Sequence, residues 1–398
     1  MSPSPDRPAR TPLAGVRVLD LTRLLPGPMA TLILADLGAQ VDKLEDPAPG
    51  DYLRGMPPVR GDTSGTYQLL NRDKRNLVMD LKHPEGRALL RRLLPRYDVL
   101  VEGFRPGVLA RLGADHAAIR AANPRLVVCA ITGYGQDGPL AQRAGHDINY
   151  LARAGVLGVT GPADGPPALS GAQMADVAGG ALWAVNGILG ALLERTRTGH
   201  GAVVDVAMSE GSMALAAFAL GAYLTDGVGL ARGASALDGG IAPYNTYRTA
   251  DGRFVALGAL EPKFWTAFAL GVGIDPSLDA LLPGPHQPAL RAEVARIFAG
   301  RPRDAWEAFA RDHDCCLEPV LSPGELPGDP QHRARGMFFD LPMPDGTSMP
   351  HLRTPGGAMG PHTPARDPGA DTDAVLADAG LAPDEILSLR AAGVVRGP

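Results

Sequence analysis

Between residues 16 and 132 the chain repeats one pattern: a short run of branched apolar residues, a turn, a segment of helical length, then another apolar run. Val16-Arg17-Val18-Leu19-Asp20-Leu21 reads as a strand, and Pro26-Gly27-Pro28 turns the chain into a helix over residues 29–37. Gly38 stands where a helix C-terminal glycine belongs, and residues 40–44 form the next strand. The alternation continues with strands at 76–80, 99–102 and 126–132 and helices at 85–94 and 117–122. Parallel strands cannot be joined by tight turns and need crossovers of this length. The pattern therefore predicts an α/β fold: a Rossmann-like parallel sheet with helices on both faces.

Beyond it, a helix is expected over 175–197, ending before Gly199, then a strand at 203–206 and a helix at 210–224. Residues 226–240, rich in Gly and Ala, read as a linker. Runs at 244–249 and 254–258 flank Asp251-Gly252 and predict a hairpin. With helical segments at 262–270 and 290–299 they make a smaller α+β domain. A Pro- and Gly-rich stretch (321–370) returns the chain, and two short helices are expected within 370–392. The predicted organisation is a disordered tail (1–14), a large Rossmann-like domain that binds the ligand (15–224), a small α+β domain (225–332) and a C-terminal segment (333–398) returning to the large domain. A chain of 398 residues suits more than one core.

Composition narrows the function classes. A formal charge of -5 without a long basic run excludes a nucleic-acid partner. The apolar stretches at 176–193 and 211–224 contain charge or many small residues, so they read as buried core helices and no membrane span is expected. Cys129, Cys315 and Cys316 cannot build a disulfide framework, and adjacent cysteines make a poor pair. A reducing cytoplasm fits. The polar, proline-rich N-terminus lacks the apolar core of a signal peptide, and no cluster has metal-ligand spacing, so no metal is expected.

The chemistry concentrates in Gly145-His146-Asp147-Ile148-Asn149-Tyr150, Asp176 and Glu261. His146 follows a strand, where ligands bind in parallel sheets; alone it would pass for a structural histidine. Asp176 opens a long apolar helix with Gly179-Gly180 in its first turn. It is either an acid favoured at a helix N-terminus or a carboxylate that a ligand or another backbone approaches over residues without Cβ. Glu261 stands between the run at 254–260 and Pro262, and alone reads as a solvated loop acid. Together, one imidazole and two carboxylates can take a proton from carbon and return it.

These words resemble the α-methylacyl-CoA racemase branch of the class III CoA-transferase superfamily, from about Pro12 to about Phe339. The resemblance rests on the block at 145–150, on Gly258-Ala259-Leu260-Glu261-Pro262-Lys263-Phe264, on Arg195-Thr196-Arg197-Thr198-Gly199, on Leu237-Asp238-Gly239-Gly240 and on Tyr247-Arg248-Thr249-Ala250-Asp251-Gly252. It implies 1,1-proton transfer at C2 of a 2-methylacyl-CoA, with His146 on one face, Asp176 on the other and Glu261 orienting the imidazole. No metal, flavin or nicotinamide is implied; coenzyme A enters as part of the substrate. Its phosphates need a cationic entry, for which Lys74, Arg75, Arg105 and Arg111 are the candidates. Asp147 and Gly135 are further CoA-binding candidates. Gly135 belongs to Gly133-Tyr134-Gly135-Gln136-Asp137-Gly138, which formally fits GxGxxG. Pro139 and the missing helix make it a tight loop whose amides face the thioester, not a dinucleotide fingerprint. The family also implies an interlocked homodimer with active sites between the domains.

The rival reading is CoA transfer between a thioester and a free carboxylate, with Asp176 as nucleophile. Residues 71–81, Ala172 in place of a racemase asparagine, and the tail at 371–395 lean that way. The block at 145–150 and Glu261 lean towards the racemase. A non-catalytic CoA- or nucleotide-binding protein would need no such trio.

Overall fold

Six strands and the last two described residues of the chain's β structure build the main sheet: β1 (Arg17–Asp20), β2 (Gln40–Glu45), β3 (Lys74–Met79), β4 (Val99–Glu102), β5 (Val127–Thr132), β6 (Val203–Ala207) and β7 (Val395–Arg396). Their order is β7-β3-β2-β1-β4-β5-β6, parallel throughout except for β7, which runs antiparallel to β3. The computed structural model describes residues 11–61, 63–357 and 360–397. Every residue of β4 and of β5 is buried, as expected of strands covered on both faces. The order reverses at β1, whose neighbours are β2 on one side and β4 on the other. The loops after β1 and β4 therefore flank the crevice where such sheets take ligands.

Local chemistry sets the connections. Helix α1 (Pro26–Asp36) begins with proline in its first turn, where a missing N–H costs nothing. It ends as the sequence predicts: Gly38, at φ +97°, donates to Ala35 O while Ala39 donates to Leu34 O, the paired closure of a Schellman motif. Residues 1–10 of the expected tail lie outside the described residues. The rest of it is packed: Leu13 is buried, its N–H donates to Leu37 O, and Thr11 lies against Gly38.

The C-terminal segment returns to this sheet. Asn76 exchanges backbone and side-chain hydrogen bonds with Gly369 and Asp371, and Val395 pairs with Met79. Val375, Leu376, Ile386 and Val394 then join the core around Leu77, Leu90 and Leu100.

The chain divides into two units. One comprises residues up to Leu151, Ala172–Leu215 and Pro327 onward; the other comprises Ala152–Gly171 and Ala216–Leu326. Relative to the predicted boundaries, residues 152–171 and 216–224 move to the second unit and 327–332 to the first. The cause at 216 is a break in the expected helix 210–224. Ala216 leaves helical geometry, separating Met208–Leu215 from Ala217–Asp226.

The second unit holds a three-stranded antiparallel sheet, with Phe254–Gly258 between Tyr244–Arg248 and Leu317–Pro319. Asp251-Gly252 makes the predicted turn, with Gly252 at φ +78°. Helices Pro262–Val272, Gln287–Phe298 and Arg303–Asp312 supply its aromatic core of Trp265, Phe268, Phe298, Trp306 and Phe309.

Candidate active site

His146 caps a short helix and is not in a free loop. Its carbonyl accepts from Tyr150 N at 3.3 Å, the first bond of helix α2 (Asp147–Arg153), and its own N–H donates to Asn149 Oδ1 at 3.0 Å. That reciprocal arrangement fixes the backbone that carries the imidazole. Tyr150 locks it further, donating from its hydroxyl to Gly145 O at 2.6 Å. Its ring lies where side chains at 133 and 145 would be: a Cβ on Gly133 would fall 2.4 Å from Tyr150 Cε1, and one on Gly145 2.7 Å. The glycines of this block make room for a tyrosine.

Asp176 is brought to His146 by Asp147. Asp147 Oδ1 accepts from the N–H groups of Ala175 (2.7 Å) and Asp176 (2.9 Å). Residues Ala175–Ala181 are wound as a π-helix leading into α3 (Leu182–Thr198); such turns concentrate at functional sites. Its glycines answer the question the sequence leaves open. A Cβ on Gly179 would lie 2.6 Å from Met208 O, and one on Gly211 2.0 Å from Gly179 O. The close approach is therefore by another backbone, helix α4 (Met208–Leu215). Burial, and then the neighbouring Asp147 charge, push the Asp176 carboxyl up to about 6, against the opposing pull of His146. Burial and Asp176 likewise push Tyr150 up to about 12.

His146 opens on a pocket of about 390 Å³ between the loops after β4 and β5, lined also by Arg105, Arg143, Asn149, Tyr150, Thr132 and Met208. Glu102, buried at the end of β4, accepts from Phe104 N at 2.7 Å and so shapes the loop that presents Arg105. A second cleft, about 250 Å³, lies at the switch point, where Leu21, Leu44, Met79, Leu81 and Phe104 form an apolar slot with Arg23, Glu45, Asp46 and Lys82 among its polar lining; Lys82 Nζ lies 3.3 Å from Asp46. Phe104 lines both.

Several sequence-predicted CoA contacts serve the fold instead. The Lys74 ammonium is buried, 3.3 Å from Asp20 Oδ2 and hydrogen-bonded to Thr31, Asn71 and Pro28 O. Burial pulls it down to about 8 against the attraction of Asp20. Arg75 holds Asp42 and Asp378. Inward-facing carboxylates recruit these cations, and no local sequence signal reports that. The Gly135 amide donates to Thr132 Oγ1 and that of Gln136 to Asp205, so neither faces a ligand; Gly135 is required by its φ of +89°. Asp147 positions Asp176. Arg105 and Arg111 remain exposed, and among the described residues neither forms an ion pair. Arg23, Lys82 and Arg143, all exposed and in the two clefts, are the cations that sequence reasoning does not single out.

Glu261 belongs to the second unit. It is exposed at the N-terminus of Pro262–Val272, makes no capping hydrogen bond there, and its charge adds to the burial that raises the Cys316 thiol.

Comparison with known proteins assigns the family. The sequence is 37% identical to human alpha-methylacyl-CoA racemase over 96% of this chain and 97% of that protein. It is 36% identical to the succinate–glutarate CoA-transferase of Agrobacterium fabrum over 89% and 91%. The fold is similar to the crystal structure of a CAIB/BAIF family protein from Brucella suis, with a TM-score of 0.80, 30% identity, and coverage of 93% of this chain and 100% of that one. The sequence model of CoA-transferase family III matches residues 13–372, and the chain belongs to that family.

Proposed function

We propose that the protein epimerises 2-methylacyl-CoA thioesters by moving the C2 proton from one face of the carbon to the other. One of His146 and Asp176 takes the proton, leaving an enolate; the other returns a proton to the opposite face. The observation that carries this reading is the placement of Asp176: Asp147, next to His146 in the chain, accepts from the N–H groups of Ala175 and Asp176 and so holds that carboxyl at the His146 loop. A carboxyl held near 6 beside an imidazole gives and takes protons close to neutral pH, as a two-way reaction requires. The bond to be broken is activated by the thioester itself, so we propose no cofactor beyond the CoA of the substrate.

The switch-point cleft suits the nucleotide end of CoA: the apolar slot takes the base, and Arg23, which forms no ion pair among the described residues, takes a phosphate. Arg105 stands on the loop between this cleft and the His146 pocket. Glu261 keeps the orienting role that the resemblance implies, and Glu261→Gln tests it. We also propose a homodimer in a reducing cytoplasm, the latter supported by three free thiols.

CoA transfer is the second reading, favoured by the 36% identity to a transferase over nearly the whole chain. Asp176 would then attack the thioester carbonyl, the C–S bond would break with CoA leaving as its thiolate, and the carboxylate would carry the acyl group as a mixed anhydride. One experiment separates the two. The protein is incubated in D₂O with one epimer of a 2-methylacyl-CoA and a free carboxylic acid, and mass spectrometry follows C2 deuterium and CoA on the acceptor. Deuterium incorporation with epimerisation, lost in His146→Ala, is expected. CoA on the acceptor without exchange would replace this reading with transfer.

A further inference from the structure

We infer that Asn149 is a catalytic residue: its side-chain Nδ2 donates to the thioester oxygen and stabilises the charge that gathers there when the C2 proton leaves. The inference deepens the epimerisation reading above and rests on it. Asn149 is exposed and lines the His146 pocket. Its carboxamide is held at one end only. The His146 N–H donates to Oδ1 at 3.0 Å, and the Asn149 N–H donates back to His146 O at 2.8 Å. A backbone N–H has no lone pair to offer, so the end it meets must be the oxygen, and the amide cannot be turned over. Nδ2 is thereby the free end, with two N–H donors. Among the described residues nothing accepts from it. The neighbouring acceptors hold other donors: Asp147 Oδ1 the N–H groups of Ala175 and Asp176, and Gly145 O the Tyr150 hydroxyl.

The chemistry requires a donor of this kind. As the C2–H bond breaks, its proton passes to His146 or Asp176. The electron pair left behind becomes the C1–C2 double bond and moves the carbonyl pair onto oxygen. A hydrogen bond to that oxygen strengthens as the charge develops, and it is worth most from a donor already in place. Asn149 keeps its own proton throughout and so serves both halves of the reaction. Residues 146 and 149 are three apart on one turn, which brings the imidazole and the carboxamide to the same side. Arg105 and Arg143 also line the pocket, but their side chains are exposed and have no anchoring hydrogen bond among the described residues. The Tyr150 hydroxyl is already committed to Gly145 O.

The test uses acetoacetyl-CoA, whose absorbing enolate mimics the intermediate, with butyryl-CoA as a control that does not ionise. Asn149→Asp keeps an oxygen for the His146 N–H and deletes the donor; Asn149→Ala deletes both and adds no charge. Bound to the wild type, acetoacetyl-CoA should ionise about one to two pH units below the free ligand, the worth of a hydrogen bond to a charged group. Both variants should raise that value by about one unit or more, with butyryl-CoA affinity within about threefold of wild type. Deuterium exchange at C2 should fall about 10²–10³-fold in kcat with little change in KM. A bond that merely orders the loop would survive in Asn149→Asp, and its loss in Asn149→Ala would weaken both ligands alike. Equal weakening of both ligands, or wild-type ionisation of bound acetoacetyl-CoA in Asn149→Ala, would therefore overturn the inference. So would a wild type that binds acetoacetyl-CoA without lowering its pKa, an outcome that leaves the acyl-CoA reading standing. A wild type that binds neither thioester, or shows no C2 exchange, would remove the epimerisation reading and this inference with it.

Discussion

Asp176 owes its proton affinity to burial first and to Asp147 second, and the second cause can be removed without disturbing the first. Asp147→Asn keeps an acceptor oxygen for the two N–H groups it holds but deletes the negative charge. The Asp176 pKa should fall. In a pH–rate profile of epimerisation an ionised Asp176 is the form that takes the C2 proton, and its protonation marks the acid limb. That limb, expected near 6 in the wild type, should move to lower pH in Asp147→Asn; an unmoved or raised limb would detach it from Asp176. Gly133→Ala tests the packing beneath. Its Cβ would fall 2.4 Å from the Tyr150 ring, so the ring must shift, at a cost of about 1–3 kcal/mol measurable by urea unfolding. This residue-scale order explains why the block at 145–150 is readable in sequence. Gly145, Asn149 and Tyr150 are tied to His146 by local bonds, so a short word carries the whole arrangement. Arg143 has no such local signal; only the meeting of two loops reveals it.

At the scale of elements, the site depends on helix α4 packing against the π-helical turn that carries Asp176. Gly211→Ala would place a methyl 2.0 Å from Gly179 O. The two segments must part, costing about 2 kcal/mol or more and lowering the rate of C2 exchange as Asp176 shifts. Wild-type stability and exchange in this variant would show that the contact is dispensable. Lys74 provides a contrast between fold and ligand binding. Burial alone would raise the Asp20 carboxyl, yet Lys74, Lys43 and the hydroxyls of Thr22 and Thr31 hold it down to about 2. Lys74→Met strands that charge and should cost about 3–5 kcal/mol by chemical denaturation. Adding Asp20→Asn should restore part of the loss. A stable Lys74→Met protein with weakened CoA binding would return Lys74 to the ligand. Strands and helices of the parallel sheet are legible because each repeats the same apolar period, and β4 lies where the pattern predicts, at residues 99–102. The helix break at Ala216, the cap at His146 and the antiparallel β7 are not, because tertiary packing decides them against weak local preference.

Apolar surface is the property of the whole chain that the single copy leaves unexplained. The sequence predicts buried helices at 176–193 and 211–224, but exposure is widespread on both. In the first unit Leu182, Trp183 and Leu193 of α3 are exposed. In the second, helix Ala217–Asp226 has no buried residue, with Phe218 and Leu224 more than three-quarters exposed. Residues of this size scattered singly are ordinary on a surface, whereas a helix apolar on all sides marks a face that something covers. The composition misled because hydrophobic content reports that a helix is covered and not by which chain. Under the proposed homodimer, the cover is a second copy. Sedimentation of the wild type at micromolar concentration should then give a dimer. Phe218→Glu with Leu224→Glu, each removing an apolar anchor and placing a charge in the interface, should cost about 2 kcal/mol or more apiece and shift the protein towards monomer. Neither substitution touches the core of its own unit, so the far-ultraviolet spectrum should be unchanged. A wild-type monomer, or a variant that stays dimeric, would leave this helix to some other occupant.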